Sequence, residues 1–114
     1  MLGDGVSTWP EILPPIITTP LQGATFTALL GFTATLDIFV SSIATQTSTD
    51  WEVWTGPNGT GTRVFNAAAD TVNKLVKIFP IAFFTAGTTY YVRARFRAAA
   101  YTSVWSDDRV LVCI

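Results

Sequence analysis

The amino-acid sequence predicts an all-β domain, an antiparallel sandwich of two sheets and about seven strands. The first observation is the stretch 90–97, in which two kinds of side chain alternate strictly. A period of two is typical of a strand with one face in a core. The second observation is that similar short segments recur at roughly 8–12-residue spacing, separated by Gly, Pro and Asn turn signals. Together they indicate a sandwich or barrel rather than a helical fold.

The predicted strands follow the chain in order. We expect them at 16–20, 33–42, 50–55, 63–66, 74–79, 90–97 and 109–114. Asn58-Gly59 is a strong hairpin signal between the third and fourth strands. The alanine run at 67–69 is too short to form a helix alone, so we predict a loop there. The domain proper is expected to span residues 16–114.

The strand 90–97 has two chemically different faces. The face expected in the core carries Tyr90, Val92, Ala94 and Phe96. The opposite face carries Tyr91, Arg93, Arg95 and Arg97. Apolar on one side and cationic on the other, the strand is typical of an antiparallel sheet whose second face meets water or a partner.

The arginine face predicts a ladder of stacked side chains. Alternate residues of a strand stand about 7 Å apart, which lets aromatic rings insert between guanidinium groups. Trp105 and, from the neighbouring strand, Trp54 are the rings expected to alternate with Arg93, Arg95 and Arg97. The alternative is a solvated basic face with unrelated aromatic residues nearby.

The composition favours a chain that buries surface against neighbours. Its 114 residues fit one domain, and 49% are hydrophobic while 13% are charged, against about 25% charged in typical soluble proteins. The net charge of −1 gives no basic field for nucleic acid. No apolar stretch is long enough to cross a membrane, and the start lacks the features of a secretory signal. We therefore expect a product made in a cytoplasm.

The sequence offers no catalytic, cofactor or metal site. It has no histidine and one cysteine, Cys113, which excludes a Cys/His metal site and an intrachain disulfide. Asp107 and Asp108 are the one adjacent carboxylate pair, and on a turn such neighbours point apart. We interpret them as a solvated cap. The expectation is a protein that is not an enzyme.

Two segments predict contacts with partners. Residues 1–15 are rich in glycine and proline, which forbids a helix and favours an extended arm. Its apolar residues Trp9, Ile12 and Leu13 are expected to dock on another surface, although a disordered leader is the alternative. The last strand is apolar at every position, so alternation does not choose its inner face, and Val110 and Val112 become further contact candidates.

Residues 84–90, Phe-Thr-Ala-Gly-Thr-Thr-Tyr, resemble the run that leads into the sixth strand of fibronectin type III domains. Residues 102–106 are similar to the Trp-Ser-x-Trp-Ser box of cytokine-receptor type III domains at all but the first position. The resemblance implies a fibronectin III-like or immunoglobulin-like sandwich in which Tyr90 forms a tyrosine corner and Trp51 is the core tryptophan. The predicted core residues are Trp51, Phe84, Tyr90, Val92 and Phe96.

A single such domain behind a short arm, rich in Ala, Thr and Gly, resembles the small sandwich proteins of tailed bacteriophage particles. The resemblance implies a structural virion protein, either a capsid decoration protein or an accessory part of a tail, baseplate or fibre. Its expected partners are other virion proteins and copies of itself, with no nucleic acid and no membrane. The alternative from another class is a recognition module whose Trp/Arg face binds a host surface glycan or a protein.

Overall fold

The computed structural model of the protein describes residues 12–41, 43–80 and 83–114. Within these ranges all regular secondary structure apart from short turns is β-strand. The strands are β1 (Ile17–Thr19), β2 (Ala24–Phe26), β3 (Phe32–Leu36), β4 (Ser48–Gly56), β5 (Thr60–Asp70), β6 (Val76–Phe79), β7 (Thr89–Ala98), β8 (Tyr101–Thr102) and β9 (Arg109–Cys113). Trp9 lies outside the described residues.

The strands form two sheets that pack face to face. The smaller sheet has the order β1-β3-β6, and the larger has the order β2-β9-β7-β4-β5 with β8 paired to β7. Every pair is antiparallel except β2 with β9, which is parallel. The predicted all-β two-sheet sandwich is confirmed. Two strands beyond the predicted ones, β2 and β8, have three and two residues, too few for a period of two to stand out.

The core lies between the inner faces of the two sheets. Trp51 and Val92 are fully buried, and the indole Nε1–H of Trp51 donates to the carbonyl of Asn73 at 2.8 Å. The hydroxyl of Tyr90 accepts a hydrogen bond from the amide of Thr85, five residues upstream, at 2.7 Å. This is the geometry of a tyrosine corner. Phe84 and Phe96, at 7% and 3% exposure, complete the buried set that the sequence singled out.

Strand β5 is longer than its sequence suggests. The alanines 67–69, which we predicted to be a loop, continue the strand, with Ala67 opposite Trp51 and Asp70 opposite Thr49 of β4. Pairing with β4 supplies the backbone hydrogen bonds that a three-alanine run cannot make within itself. The prediction of a loop there was wrong because tertiary pairing overrides weak local propensity.

Strand β3 is shorter than its sequence suggests. The alternating pattern continues to residue 42, but the strand ends at Leu36; beyond it Ile38 and Val40 are 69% and 66% exposed, while Phe39 between them packs on the core. The chain leaves the sheet at Asp37, whose amide donates to the carbonyl of Ile16. The outward position of Ile38 and Val40 places two large aliphatic side chains on the surface.

The N-terminal segment joins the core earlier than we expected. Ile12 is 5% exposed and belongs to the core of its own chain, and Pro15 is buried. Ile12 is therefore buried within its own chain and is not exposed to a partner, while the boundary at residue 15 stays a prediction. Leu13, by contrast, is 70% exposed. Ile12 and Leu13 stand next to two prolines, where no alternating pattern of apolar residues indicates which of the two is buried.

The last strand is not a bare edge. β9 lies between β2 and β7, so its backbone is paired on both sides. Its inner face is Leu111 and Cys113, which are buried, and burial raises the pKa of the Cys113 thiol. Val110 and Val112 face outward and are half-buried, opposite Tyr91 and Thr89 of β7. They extend the outer face of the larger sheet rather than form an unpaired edge.

Candidate functional site

The outer face of the larger sheet holds a stack of rings and guanidinium groups. The Cζ atom of Arg93 lies 5.6 Å from the ring centroid of Trp54 and 4.2 Å from that of Trp105. The Cζ atom of Arg95 lies 4.4 Å from the same Trp105 centroid. These distances match a ring inserted between alternate side chains about 7 Å apart. We call the set Trp54, Arg93, Trp105 and Arg95 the ladder.

Residues 103–106 hold Trp105 in place by binding the backbone of β7. Ser103 and Ser106 each donate an amide N–H to β7, to the carbonyls of Phe96 and Ala94 at 2.9 and 2.8 Å. Their hydroxyl oxygens accept the amides of the same two residues, at 2.9 and 3.0 Å. These four hydrogen bonds satisfy the backbone of Ala94 and Phe96 on β7, between its pairings with β9 and β8. The two serines of the receptor-like box have a structural role here.

Two buried carboxylates on β4 support the guanidinium groups, and the sequence analysis missed both. Glu52, whose side chain is 9% exposed, accepts hydrogen bonds from Arg93 Nε and Nη2 at 2.9 and 2.8 Å. It also accepts from Arg63 Nη1 at 3.2 Å and from the indole of Trp54 at 2.8 Å. One carboxylate therefore fixes two arginines and one ring of this face.

Asp50 has the same role for the other end of the face. Its side chain is 3% exposed and accepts hydrogen bonds from Arg95 Nε at 2.6 Å and from Arg97 Nε at 2.9 and 3.0 Å. The amide of Ala69 donates to it at 2.6 Å. Arg97, predicted to stack on a ring, is held by this carboxylate instead; in the described part of the chain no aromatic ring lies over its guanidinium.

The ion pairs set the charge state of the buried acids. Burial raises the pKa of Asp50, but hydrogen bonds from Arg97, the Ala69 amide and Arg95 outweigh it, so the pKa is lower than usual. In Glu52 burial is likewise outweighed, by Trp54, Arg93 and Arg63, and the pKa is again lowered. Asp50 in turn raises the pKa of Arg97. Both carboxylates are therefore ionised at neutral pH.

A signal for these acids was present in the sequence. Asp50, Glu52 and Trp54 alternate along one strand, as the arginines do along another. In the structure Asp50 lies opposite Arg95, and Glu52 lies opposite Arg93. Tyr91 lies at the end of the same face, between Trp54 of β4 and Val110 of β9. Two alternating strands of opposite charge are a sequence signal for such pairs only where the strands lie side by side in this register.

The β4–β5 hairpin turn closes over one end of the ladder. A methyl group placed at Gly59, where φ is 72°, would lie 2.8 Å from Arg93 Nη2. The amide of Asn58 donates to a carboxylate oxygen of Asp108 at 2.7 Å. The Asn58-Gly59 pair therefore serves as the predicted hairpin turn and also covers Arg93. Asp108 secures the turn.

The smaller sheet has a very different outer face. Its strands present Thr18, Thr33, Thr35, Val76 and Ile78 to solvent, with no charged residue among them. Ile78 is 73% exposed and lies opposite Thr33. Beside this sheet a cleft of about 160 Å³ is lined by the aliphatic side chains of Leu13, Ile16, Ile38 and Val40 together with Pro14, Pro15, Asp37 and Phe96.

We use the name apolar patch for the six exposed aliphatic residues of this region: Leu13, Ile16, Ile38, Val40, Val76 and Ile78. Asp37, at the cleft, is the charged residue that touches it. Leu13, Ile16, Ile38 and Val40 line one cleft, and contiguous exposed apolar surface often marks an interaction site. The apolar patch is the main candidate for an interaction surface.

The described residues contain no arrangement typical of a catalytic or metal site. Within those ranges no group of three or more His, Cys, Asp or Glu side chains is placed to hold a metal ion. A larger cleft of about 320 Å³ is lined by Pro15, Ile16, Ile17, Gln22, Asp107, Asp108 and Arg109. No helix in the described part of the chain is long and apolar enough to cross a membrane.

Comparison with known proteins supports the fold. No protein-family model matches the chain, and no curated protein matches it. Among solved structures it is similar to the fibronectin(III)-like modules of CbhA from Clostridium thermocellum, with a TM-score of 0.59 and 14% sequence identity over 87% of this chain and 93% of that chain. At this identity the similarity shows the fold alone. The chain has a fibronectin III-like β-sandwich fold.

Proposed function

We propose that this chain is a non-catalytic structural module of a bacteriophage particle, in which it docks on neighbouring protein subunits through the apolar patch. A capsid decoration role is preferred over a tail, baseplate or fibre role, because one small domain is sufficient to bind across a lattice of subunits. The partners are other virion proteins and copies of the chain. The location is the virion.

The observation that carries the proposal is the chemistry of the apolar patch. Ile16, Ile38 and Ile78 are each more than 60% exposed, and the strand residues between them are threonines. Each large aliphatic side chain removed from water contributes about 1.5–3 kcal/mol. A largely aliphatic surface of this composition gains free energy by contact with another protein surface.

The chain as a whole supports the same conclusion. Charged residues make up 13% of it, and the acids Asp50 and Glu52 are buried in ion pairs with the arginines of the larger sheet. The strands of the smaller sheet contain one charged residue, Lys77, which pairs with Asp70. Fibronectin III-like sandwiches are typically non-catalytic, and the neighbour of known structure is itself described as a module.

The test is incorporation into particles. Particles purified from the natural source should contain the chain in many copies by quantitative mass spectrometry. A double variant, Ile16→Lys with Ile78→Lys, should fold with unchanged circular dichroism, since both side chains are 63% or more exposed, yet should be missing from particles. The charged side chains would have to be desolvated in the interface.

The matched control is Val104→Lys. Val104 is 69% exposed and lies near Trp105, on the side of the larger sheet, so this variant should be incorporated normally. Full incorporation of the double variant would show that the apolar patch is not the docking surface. Absence of the chain from particles altogether would overturn the structural role itself.

A further inference from the structure

On the outer face of the larger sheet, the positive charges of Arg95 and Arg97 are only half neutralised. Both guanidinium groups donate Nε–H to Asp50, and Ala69 donates to it as well. Each carboxylate oxygen of Asp50 thus accepts two hydrogen bonds and has no capacity left. Within the residues that the structure describes, the salt bridges of Arg95 and Arg97 are made with Asp50 alone. One negative charge faces two positive charges.

The unused donors of these arginines are open to solvent. A guanidinium group carries five N–H donors, and Arg95 and Arg97 each use the one on Nε. Across residues 12–41, 43–80 and 83–114, no protein oxygen accepts a hydrogen bond from their Nη atoms. The two side chains are 30% and 37% exposed. The outer edges of both groups can therefore bind a ligand.

The two groups are held in place before any ligand arrives. The Trp105 ring lies 4.4 Å from the Cζ atom of Arg95, and the buried Asp50 carboxylate fixes Arg97 from below. A surface arginine normally loses rotamer freedom when it binds. Here that loss has already occurred on folding, which favours binding.

The residues that flank Arg95 and Arg97 on the neighbouring strands are small or already paired. Next to Asp50, the neighbouring strand β5 contributes the alanines 67–69. The next acid along that strand, Asp70, is bound by Lys77 at 3.0 Å. On the other side Arg97 lies opposite Thr102 of β8. A partner can therefore approach the pair past the small residues on these two sides, while Trp105 covers Arg95 on the side of Arg93.

The chemistry and the charge count identify the kind of ligand. Guanidinium groups bind carboxylates, phosphates and sulfates through paired N–H donors. A polyanion such as nucleic acid or a sulfated glycan gains affinity from many neutralised charges, whereas the surplus here is one charge and the whole chain carries −1. The Trp105 ring already contacts Arg93 and Arg95, so it is not free to stack on a base or a sugar. A protein carboxylate fits best.

We propose that Arg95 and Arg97 together bind a carboxylate side chain in an acidic segment of a partner protein. Both Nε atoms bind the same Asp50 oxygen, at 2.6 and 3.0 Å, so the two guanidinium groups lie close enough for one carboxylate to bridge them. The chain's own Asp50 already binds the pair in this way. The surface lies on the sheet opposite the apolar patch, so the inference does not depend on the proposed docking through that patch.

The experiment is an NMR titration of the full ¹⁵N-labelled chain with two short peptides. One carries a Glu-Val-Glu centre and the other, its matched control, a Gln-Val-Gln centre. The Nε–H signals of Arg95 and Arg97 and the indole signal of Trp105 should shift with the acidic peptide, with half-saturation at about 1 mM. Higher salt should weaken this binding severalfold. The neutral peptide should cause no shift.

Variants locate the site on the chain. Arg97→Gln should weaken binding of the acidic peptide about tenfold, and Arg95→Gln serves as a second variant should the first not fold. Lys74→Gln, which removes the same charge outside the ladder face, should bind as the unaltered chain does. Equal shifts with the neutral peptide, or unchanged binding by both arginine variants, would overturn the site. Tighter binding of a heparin oligosaccharide than of the acidic peptide would overturn the partner class.

Discussion

The two outer faces of the sandwich differ in how they satisfy their own side chains. On the larger sheet the charged and aromatic residues bind one another: Glu52 and Asp50 neutralise arginines, and Trp105 contacts two of them. On the smaller sheet Val76 and Ile78 point into water with threonines for neighbours. The charged and aromatic side chains of the larger sheet therefore use most of their binding capacity on one another. Among the residues that the structure describes, the aliphatic side chains of the smaller sheet have no such partners and are exposed.

This contrast changes how the residue pattern should be interpreted. Aromatic and cationic residues on one strand suggest a ligand surface, but most of their binding capacity is used within the sheet. Threonine, valine and isoleucine suggest ordinary strand formers, yet Val76 and Ile78 are exposed and belong to the apolar patch. What is left unsatisfied after folding, rather than the type of residue, indicates where a partner binds.

Acid should have the largest effect on the free energy of unfolding, through the carboxylates of the larger sheet. Hydrogen bonds outweigh burial and lower the pKa values of Asp50, Glu52 and Asp70 in the folded chain, while the unfolded values stay near 4. Their contribution to stability is therefore complete above about pH 5 and is lost as the pH falls below about 4, through the folded pKa values. Urea denaturation from pH 7 to pH 2 measures this loss.

The control for the acid experiment is Asp50→Asn with Glu52→Gln, which removes two of the titrating groups. This double variant should be less stable at pH 7 and should lose less on acidification than the unaltered chain. A stability that is constant down to pH 2 in the unaltered chain would contradict a structural role for the buried ion pairs.

Removing the buried carboxylate of Asp50 should lower the free energy of unfolding nearly as much as acid does. Asp50→Ala leaves Arg95 and Arg97 without their shared partner and the Ala69 amide without an acceptor. We expect a loss of about 3 kcal/mol in the free energy of unfolding, measured by urea denaturation at pH 7. Asp37→Ala, an exposed acid beside the smaller sheet, should change it by less than about 0.5 kcal/mol. Equal losses in the two variants would remove the distinction between the faces.

The sequence predicts the parts of this architecture that depend on local pattern. The alternation of β7 shows both its faces, and Asn58-Gly59 marks the hairpin. The acid–base pairs depend instead on which strand lies beside β7 and in what register, and register is set by tertiary packing. The same limit applies to Ile12, whose core contacts are with residues distant in sequence. In the apolar patch, Leu13 was a predicted contact residue, whereas Ile38 and Val40 escaped prediction because the alternating pattern of residues 33–42 outlasts the strand.

The Trp105 ring should contribute less to the free energy of unfolding than Asp50 and Glu52 do. Trp105→Ala removes two cation–π contacts, each worth about 0.5–1 kcal/mol, and we expect a loss of about 1–2 kcal/mol. Trp105→Phe should restore part of it, since a phenyl ring can still stack. Val104→Ala, at the exposed neighbouring position, is the matched control and should be close to neutral. A loss above that of Asp50→Ala would mean that stacking, not ion pairing, holds this face.

Substitutions in the apolar patch should change the free energy of unfolding least. This small change distinguishes an exposed surface from residues of the core. Val76 and Ile78 are 47% and 73% exposed on the outer face of β6. Replacing both by threonine keeps the β-branched shape and removes apolar surface, so the free energy of unfolding should change by less than about 0.5 kcal/mol per site. Val53→Thr, the matched change at a fully buried position, should cost at least about 1 kcal/mol because its hydroxyl would lack a partner. An exposed apolar surface that folding does not require is the property that the proposed docking surface needs. A large loss from the β6 variant would instead show that Val76 and Ile78 pack within their own chain.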